Sequence, residues 1–554
     1  MHPWKVKSSV LFMLSLLLLI LYFANSDKYK APTELTQNDL LQRQQFGDFL
    51  GINSVREGRK SWIYDQYRVI NNHRVFGMDS YLFSGEEIVI ASKRPYFKVD
   101  LSKSHDKYPQ DIMGFNPAKG AQGFNFDEFL FQMKSAGLNS IPVVARNLLY
   151  ANVSEDSMVN IWQIPVDEGG ESSDPLSYRA YASLLFQFAA RYGRNKLQNE
   201  GGTIPQSLIK VNSANEIKAG LDLIEGIEPG NEMDKDWFTA KEEANPEELA
   251  AFLSAIIDGH MGLMGPGHGI LPADSSLKIV FPSPTEIKSD YVVEVLSNLK
   301  DLRADANERG YETIPYENMI FTAHAYPFAD GSGNERSTSV EKTTIFERSY
   351  DFIKRIRSIT NSPIFLTEIG YDKAVSSPIG VPTNNYDHTD SFQLSPQAHS
   401  KHLLRTIFTC FAAGYDRTYI FTLKDPVLVG QKGYTSKFST TGLIGKDGSK
   451  YQFWKIMSYL QKRLASHKLT YAYVKQPVNC LLLENYSERV LVLWSGTNNN
   501  SSYSIEIPEN LIEDNRFSIV RFDSQTGLYE ECYRTDKQVS IEVDEYPKLL
   551  ILPR

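Results

Sequence analysis

The chain has 554 residues, 42% of them apolar and 23% charged, and a net charge of −9. That composition belongs to an ordinary globular protein, long enough for one large barrel and a smaller domain. The acidic balance, with no Lys/Arg stripe interleaved with aromatics, excludes a nucleic-acid backbone as partner. The three cysteines, Cys410, Cys480 and Cys532, have no metal-ligand spacing. Cys410 reads as a buried apolar residue of a helix, and a bridge between Cys480 and Cys532 is the lesser expectation.

At the N-terminus, Lys5 and Lys7 precede an apolar run from Val10 to Ala24, followed by Asn25, Ser26 and Asp27. A run of about fifteen residues is short for a membrane span and suits a signal peptide. Residues 1–26 therefore read as a signal peptide, with an uncleaved signal anchor as the rival, and 27–45 as a polar linker. Sequons stand at Asn152, Asn485, Asn499 and Asn500 and matter only in a host that glycosylates exported proteins.

Beyond the linker, short apolar runs alternate with longer amphipathic ones. Strands are expected at Phe49–Ser54, Val75–Ser80, Ile141–Ala145, Leu223–Ile227, Lys278–Phe281, Met319–Ala323, Ile364–Thr367 and Thr418–Thr422. Continuous apolar runs of this length are what buried parallel strands require. Asp174-Pro175, Asn245-Pro246 and Ser395-Pro396 each place a capping oxygen before a proline at the first helical position. The helices they open carry Tyr178, Tyr181, Leu184, Leu185 and Phe188; Leu249, Phe252, Leu253, Ile256 and Ile257; and Leu403 through Phe411, stopping at Gly414. Repeated strand–helix units over 46–465 predict an α/β fold, a (β/α)₈ TIM barrel with long loops.

After a helix at Tyr451–Leu464 the pattern changes to short, often alternating strands. They fall at Leu481–Leu483, Val490–Trp494, Tyr503–Ile507, Phe517–Phe522, Gln538–Val543 and Leu549–Leu552. Residues 466–554 thus read as an antiparallel β-sandwich, better suited to supporting the barrel than to binding carbohydrate.

Two glutamates end apolar runs. Glu232 closes Leu223-Ile224-Glu225-Gly226-Ile227-Glu228-Pro229-Gly230-Asn231-Glu232, and Glu368 follows Ile364-Phe365-Leu366-Thr367 and precedes Ile369-Gly370. Between them, Met319–Ala323 leads into His324-Ala325-Tyr326. An unpaired carboxylate costs several kcal/mol to bury, so one set directly after a buried strand points to chemistry. On strand counting, Glu232, His324/Tyr326 and Glu368 end the fourth, sixth and seventh strands, at the barrel face where active sites form. Two carboxylates there suggest the acid/base and nucleophile of a glycoside hydrolase.

Asn231-Glu232 and Thr367-Glu368-Ile369-Gly370, 136 residues apart from glutamate to glutamate, resemble the paired motifs of the clan A retaining glycoside hydrolases. The likeness spans the barrel in element order, and only these motifs within it are specific. It implies Glu232 as acid/base and Glu368 as nucleophile. It also implies Asn231 as the amide on the sugar 2-hydroxyl, Tyr326 as donor to the nucleophile, and His324 on the same wall. Packing roles for His324 and Tyr326 are the alternative reading. Many clan members carry a tryptophan ending the eighth strand, whereas this chain reads Thr418-Tyr419-Ile420-Phe421-Thr422-Leu423-Lys424-Asp425-Pro426. Phe421 is then the candidate aromatic floor, with Lys424 as a polar contact, and Trp237 and Trp162 are candidate platforms for aglycone sugars.

The expected activity is double displacement at β-glycosidic bonds of a polysaccharide or oligosaccharide, with endo cleavage preferred over an exo-acting β-xylosidase or β-glucuronidase. A non-catalytic carbohydrate-binding barrel and a membrane-tethered structural protein are the rivals. No cofactor or metal and a monomeric state are expected; a membrane is a partner only if the N-terminal segment stays uncleaved. Asp258-Gly259-His260 and His268 match no known ligand spacing, Gly265-Pro266-Gly267 lacks the ending of a phosphate loop, and no Gly-x-Ser-x-Gly elbow is present.

Overall fold

Eight strands run parallel: β1 (Leu50–Val55), β2 (Asn72–Phe76), β3 (Asn139–Pro142), β4 (Gly226–Ile227), β5 (Lys278–Val280), β6 (Met319–His324), β7 (Ile364–Ile369) and β8 (Arg417–Ile420). They pair in the order β3-β2-β1-β8-β7-β6-β5-β4. The two ends of that row also meet. Val143 bridges Glu228 in parallel, Glu228 N donates to Pro142 O at 2.9 Å, and Val144 N donates to Glu228 O at 2.8 Å. The sheet is therefore a closed barrel. The structure is a computed structural model. It describes residues 45–55, 72–76, 125–144, 164–167, 169–211, 215–235, 244–328, 336–382, 394–428, 431, 433, 435–475, 477–496, 502–507, 516–522, 529–534 and 539–554. The N-terminal apolar run, Trp162, Trp237 and the sequons at Asn152, Asn499 and Asn500 lie outside them.

Helices follow the strands as expected: α1 (Phe126–Ser135), α2 (Arg179–Tyr192), α3 (Pro246–Asp258), α4 (Ser289–Leu302), α5 (Ile345–Ile359), α6 (Pro396–Ala413) and α7 (Gln452–Arg463). The proline starts hold. Asp174 caps a 3₁₀ turn at Pro175–Tyr178 that leads into α2, and Asn245 forms a full capping box with Glu248 on α3. Ser395 makes no side-chain cap bond, so α6 starts on its proline alone. Gly259 (φ 68°) and Gly414 (φ 110°) end α3 and α6 in the left-handed region, where glycine carries no Cβ penalty.

Inside the barrel, Ile141, Val280, Ile320, Phe365 and Tyr419 form one buried layer from five strands. Gly51 of β1 faces it, and a Cβ there would lie 2.6 Å from the Tyr419 ring, so the ring's volume dictates that glycine. Alternate residues such as Phe321, Ala323 and Leu366 point outward into the core shared with the helices.

The C-terminal segment forms β9 (Lys468–Tyr473), β10 (Val478–Glu484), β11 (Glu488–Ser495), β12 (Tyr503–Ile507), β13 (Arg516–Arg521), β14 (Tyr529–Arg534), β15 (Val539–Val543) and β16 (Lys548–Pro553). Six make an antiparallel sheet in the order β14-β13-β16-β11-β10-β9, and β12 pairs with β15. Leu482, Leu491, Leu493 and Leu550 meet Ile505, Ile541 and Val543 between the two sheets. The opposite face, with Leu481, Leu483, Val490, Val492 and Trp494, belongs to the barrel's own core. Trp494 stacks on Phe408 of α6 at 6.1 Å and donates to Glu341 at 2.8 Å, and Glu341 also pairs with Arg405 of α6. The larger sheet thus packs against the barrel, which explains why its central strands β10, β11 and β16 are apolar on both faces.

β9 and β14 had no counterpart in the sequence reading. Both are edge strands with a single partner and lack a clean apolar run. Sheet order also excludes a Cys480–Cys532 bridge, since β13, β16 and β11 separate their strands. At about 4.8 Å per strand the gap is roughly 19 Å, far beyond disulfide reach. Cys480 is a free thiol.

Candidate active site

Strand alternation carries His324 inward. On β6, Ile320 lies in the interior layer, Thr322 bonds Phe281 O at 2.6 Å, and His324 follows at the strand's end, fully buried. Glu368 reaches the interior by a different route. Phe365 points in and Leu366 out, so plain alternation sends Thr367 in and Glu368 out toward the helices. The pairing skips a residue instead: Ala323 faces Leu366 but His324 faces Glu368, and on the other side Leu366 faces Thr418 while Ile369 faces Ile420. A bulge at Thr367 therefore turns both Thr367 and Glu368 inward, as bulges beside active sites do.

Glu232 arrives from a turn. Glu228, one residue past β4, points into the barrel and accepts from Ser283 Oγ at 2.8 Å. Four residues on, Glu232 N donates to Ser283 O at 2.7 Å, and Asn231 bridges Ser283. Glu232 has φ 53°, a left-handed conformation that costs a side-chain-bearing residue about 1–2 kcal/mol. Beneath the carboxylates lies a polar floor. Ser283 Oγ is 2.6 Å from Thr367 Oγ1, and Asn53 Nδ2 donates to Thr367 O at 2.8 Å.

The side chains then converge. His324 Nδ1 is 2.7 Å from Glu232 Oε1 and 3.7 Å from Glu368 Oε2, and Tyr326 Oη donates to Glu368 Oε2 at 2.7 Å. One ligand-type atom from each of Glu232, His324 and Glu368 lies within 4.8 Å of the others. These are also donor types that suit a divalent ion. The 2.7 Å His324–Glu232 contact is itself of hydrogen-bond length.

On the β8 side, the Phe421 ring lies 5.2 Å from Phe438, and Phe438 lies 5.3 Å from Tyr326. Lys424 is half-buried at a bridge to Ile444. The sequence motifs thus bring together Glu232, His324, Tyr326 and Glu368, with Asn231 beside them and Phe421 at the rim. Trp237 lies outside the described residues. Sequence reasoning gave no role to Glu228 and Thr367, which lie within the quoted runs, and missed Ser283 and Phe438, which stand in no motif. The histidines of the glycine-rich stretch go elsewhere: Asp258 pairs with buried Arg303 at 2.6 Å, His260 Nδ1 meets Ser254 Oγ at 2.8 Å, and His268 Nδ1 donates to Gly265 O at 3.2 Å. Burial lowers the pKa of both histidines.

No protein-family profile matches the chain, and no curated protein does. Solved structures do. A family 39 glycoside hydrolase from the gut symbiont Bacteroides cellulosilyticus WH2 superposes with a TM-score of 0.53 at 11% identity, over 95% of this chain and 83% of that one. A family 39 enzyme from Xanthomonas axonopodis pv. citri gives 0.51 at 12% identity, over 96% and 99%. At these identities the likeness shows the fold: this chain has the (β/α)₈ barrel and C-terminal β-domain architecture found in clan A glycoside hydrolases.

Proposed function

We propose that the chain is a retaining glycoside hydrolase that cleaves β-glycosidic bonds of a polysaccharide or oligosaccharide. The observation that carries this is the meeting of Glu232 and Glu368 at the barrel's C-terminal face, their nearest carboxylate oxygens within 4.8 Å. Retaining enzymes hold their two carboxyl groups about 5–5.5 Å apart, whereas inverting ones leave about 6.5–9.5 Å for a water. The two structures that share the fold are named as glycoside hydrolases, which supports the same reading.

In this mechanism Glu368, oriented by Tyr326, attacks the anomeric carbon while Glu232 protonates the departing glycosidic oxygen. The sugar is then an ester of Glu368, and the nearby negative charge is gone. Glu232, now ionised, takes a proton from water as that water attacks the anomeric carbon and Glu368 leaves as carboxylate. His324, within hydrogen-bond reach of Glu232, holds the carboxyl in place through both protonation states. Endo cleavage is preferred because the segments after β2 and β3 are long enough to shape a cleft, and residues 1–26 support export.

The test separates the two roles. Glu368→Gln abolishes turnover of every substrate. Glu232→Ala still forms the glycosyl-enzyme from an activated aryl glycoside but stalls there, giving a burst, and azide restores turnover as a glycosyl azide of retained configuration. Azide rescue of Glu368→Ala with inverted product would reverse the roles. Normal activity in both variants would remove the site.

A further inference from the structure

We propose that the segment Ser436–Gly442 forms a third wall of the sugar-binding site, with Phe438 as its specificity-determining side chain and Asp372 as the residue that positions it. The inference rests on the glycosidase reading above.

Phe438 has φ 65°, the left-handed region that a phenylalanine enters only at a cost. A strained residue persists where its surroundings over-determine it, and here they do. Asp372, four residues past Glu368, is fully buried. It accepts from Phe438 N at 3.0 Å, Thr440 N at 2.7 Å, Thr440 Oγ1 at 3.1 Å and Ser377 Oγ at 2.5 Å. The adjacent Lys373, also fully buried, donates through Nζ to Thr440 O, Gly442 O and Asp425 Oδ1, and sits 4.1 Å from the Tyr451 ring centroid. The backbone adds two bonds, Lys373 N to Thr440 O and Ala374 N to Thr440 Oγ1, both at 3.0 Å. Two buried charges on the continuation of the nucleophile's own strand are thus spent on fixing one short loop.

Stability gives little reason for that arrangement, because buried ion pairs are weak stabilisers and the Phe438 ring is not sunk in the core but half-exposed. What the arrangement secures is the ring's position. Phe438 meets Tyr326 edge-on at 5.3 Å and 64°, and Phe421 at 5.2 Å and 75°. Tyr326 is the residue bonded to Glu368. The three rings therefore line one side of the nucleophile, at the ends of β6 and β8 and on the loop beyond. A pyranoside presents slightly positive axial C–H groups on one ring face, and the negative face of an arene complements them. This wall supplies the apolar contact that a tryptophan ending β8 would otherwise give. It favours pyranosides with an unbroken C–H face over epimers that place a hydroxyl there.

The experiment measures kcat and KM of Phe438→Gly, Phe438→Ala, Phe438→Tyr, Asp372→Asn and the Phe438→Gly/Asp372→Asn double variant on an epimeric panel of aryl β-glycosides, with Glu368→Gln alongside. Glycine accepts the left-handed backbone, so Phe438→Gly removes the ring without adding strain. Its kcat/KM falls roughly tenfold or more, with a raised KM and weakened discrimination between epimers. Phe438→Tyr recovers much of that loss relative to Phe438→Gly. Asp372→Asn loses in the same direction, and in the double variant its effect largely disappears, because it acts through the ring. If Phe438→Gly keeps KM, kcat/KM and epimer ratios within twofold, or only lowers the melting temperature, the wall is structural and the inference fails while the glycosidase reading stands. If the wild type turns over no glycoside, both fall together.

Discussion

Tyr326→Phe deletes one oxygen and keeps the ring that Phe438 and Phe328 touch. The lost bond is the 2.7 Å donation from Oη to Glu368 Oε2. A hydrogen bond to a charged group is worth about 1.5–3 kcal/mol, roughly 10- to 150-fold in rate. The sign differs between the two steps. In glycosylation the carboxylate starts charged and loses charge on the way to the transition state, so the bond stabilises the ground state at least as much. Its loss should leave kcat/KM little changed, apart from poorer aim. In deglycosylation the ester carbonyl is a weak acceptor, and the departing carboxylate gains charge in the transition state. The bond then strengthens as the reaction proceeds, and its loss falls fully on that step. The expected outcome on a dinitrophenyl glycoside is a kcat lowered roughly 10- to 150-fold, a KM lowered with it and a pre-steady-state burst of one equivalent. A kcat/KM lowered by the same factor with unchanged KM and no burst would refute this assignment of Tyr326 to the leaving step.

Three further outcomes follow from the packing and the buried charges. Glu341→Gln leaves Arg405 buried without its carboxylate and weakens the Trp494 bond, so the urea midpoint should drop by the equivalent of about 3–5 kcal/mol, with barrel and β-domain signals melting together. Gly370→Ala puts a Cβ 2.6 Å from Phe421 O, which must push β7 from β8 beside Glu368. Activity should fall at least tenfold for an overpacking cost of only about 1–3 kcal/mol in stability. Burial holds His399 and His402 well below the usual histidine range, so the unfolded chain binds protons there that the folded chain refuses. Their contribution is full above about pH 6.5 and declines on acidification by up to about 1.4 kcal/mol per pH unit for each. Asp167 and Asp372, raised to about 7 and about 6 by burial, work in the opposite direction over the same range. The comparison is therefore by mutation: urea midpoints of His402→Gln and wild type at pH 5 and 7 should converge toward acid, and a constant gap would refute the argument.

The barrel was legible where strands buried on both faces, such as Met319–His324 and Ile364–Ile369, read as apolar runs regardless of register, whereas β2 begins at Asn72, ahead of the expected Val75–Ser80, because Asn72-His73-Arg74 carries no apolar signal. The edge strands Lys468–Tyr473 and Tyr529–Arg534 show the limit, since a strand with one neighbour needs no apolar run, while Gly226–Ile227 forms only the end of the expected Leu223–Ile227. The larger C-terminal sheet was read as one half of a sandwich, and that holds for Leu482, Leu491 and Leu493. Its second buried face was also written in the sequence, in the unbroken Leu481-Leu482-Leu483, since alternation fails where both sides are covered.

The site was legible in residue type and not in geometry. Two glutamates follow β4, and nothing in their spacing from the strand says which one meets Glu368. Strict alternation favours Glu228, which does point into the barrel, where Ser283 holds it, fully buried, beneath Glu232 and Glu368. Glu232 takes the upper position only because residue 232 adopts a left-handed backbone, a cost that no helical or strand periodicity registers. Alternation likewise sends Glu368 outward, and it is the extra residue at Thr367 that brings it back. Both carboxylates thus reach the same few ångströms through local violations of the regular pattern, one by strain and one by a bulge. The motif could be recognised without either violation being visible, because a motif records which residues are present while the violations decide where they point. The floor of Asn53, Ser283 and Thr367 then has a specific task. Its hydrogen bonds close over the irregular backbone at both glutamates, so the two departures from regularity hold each other in place.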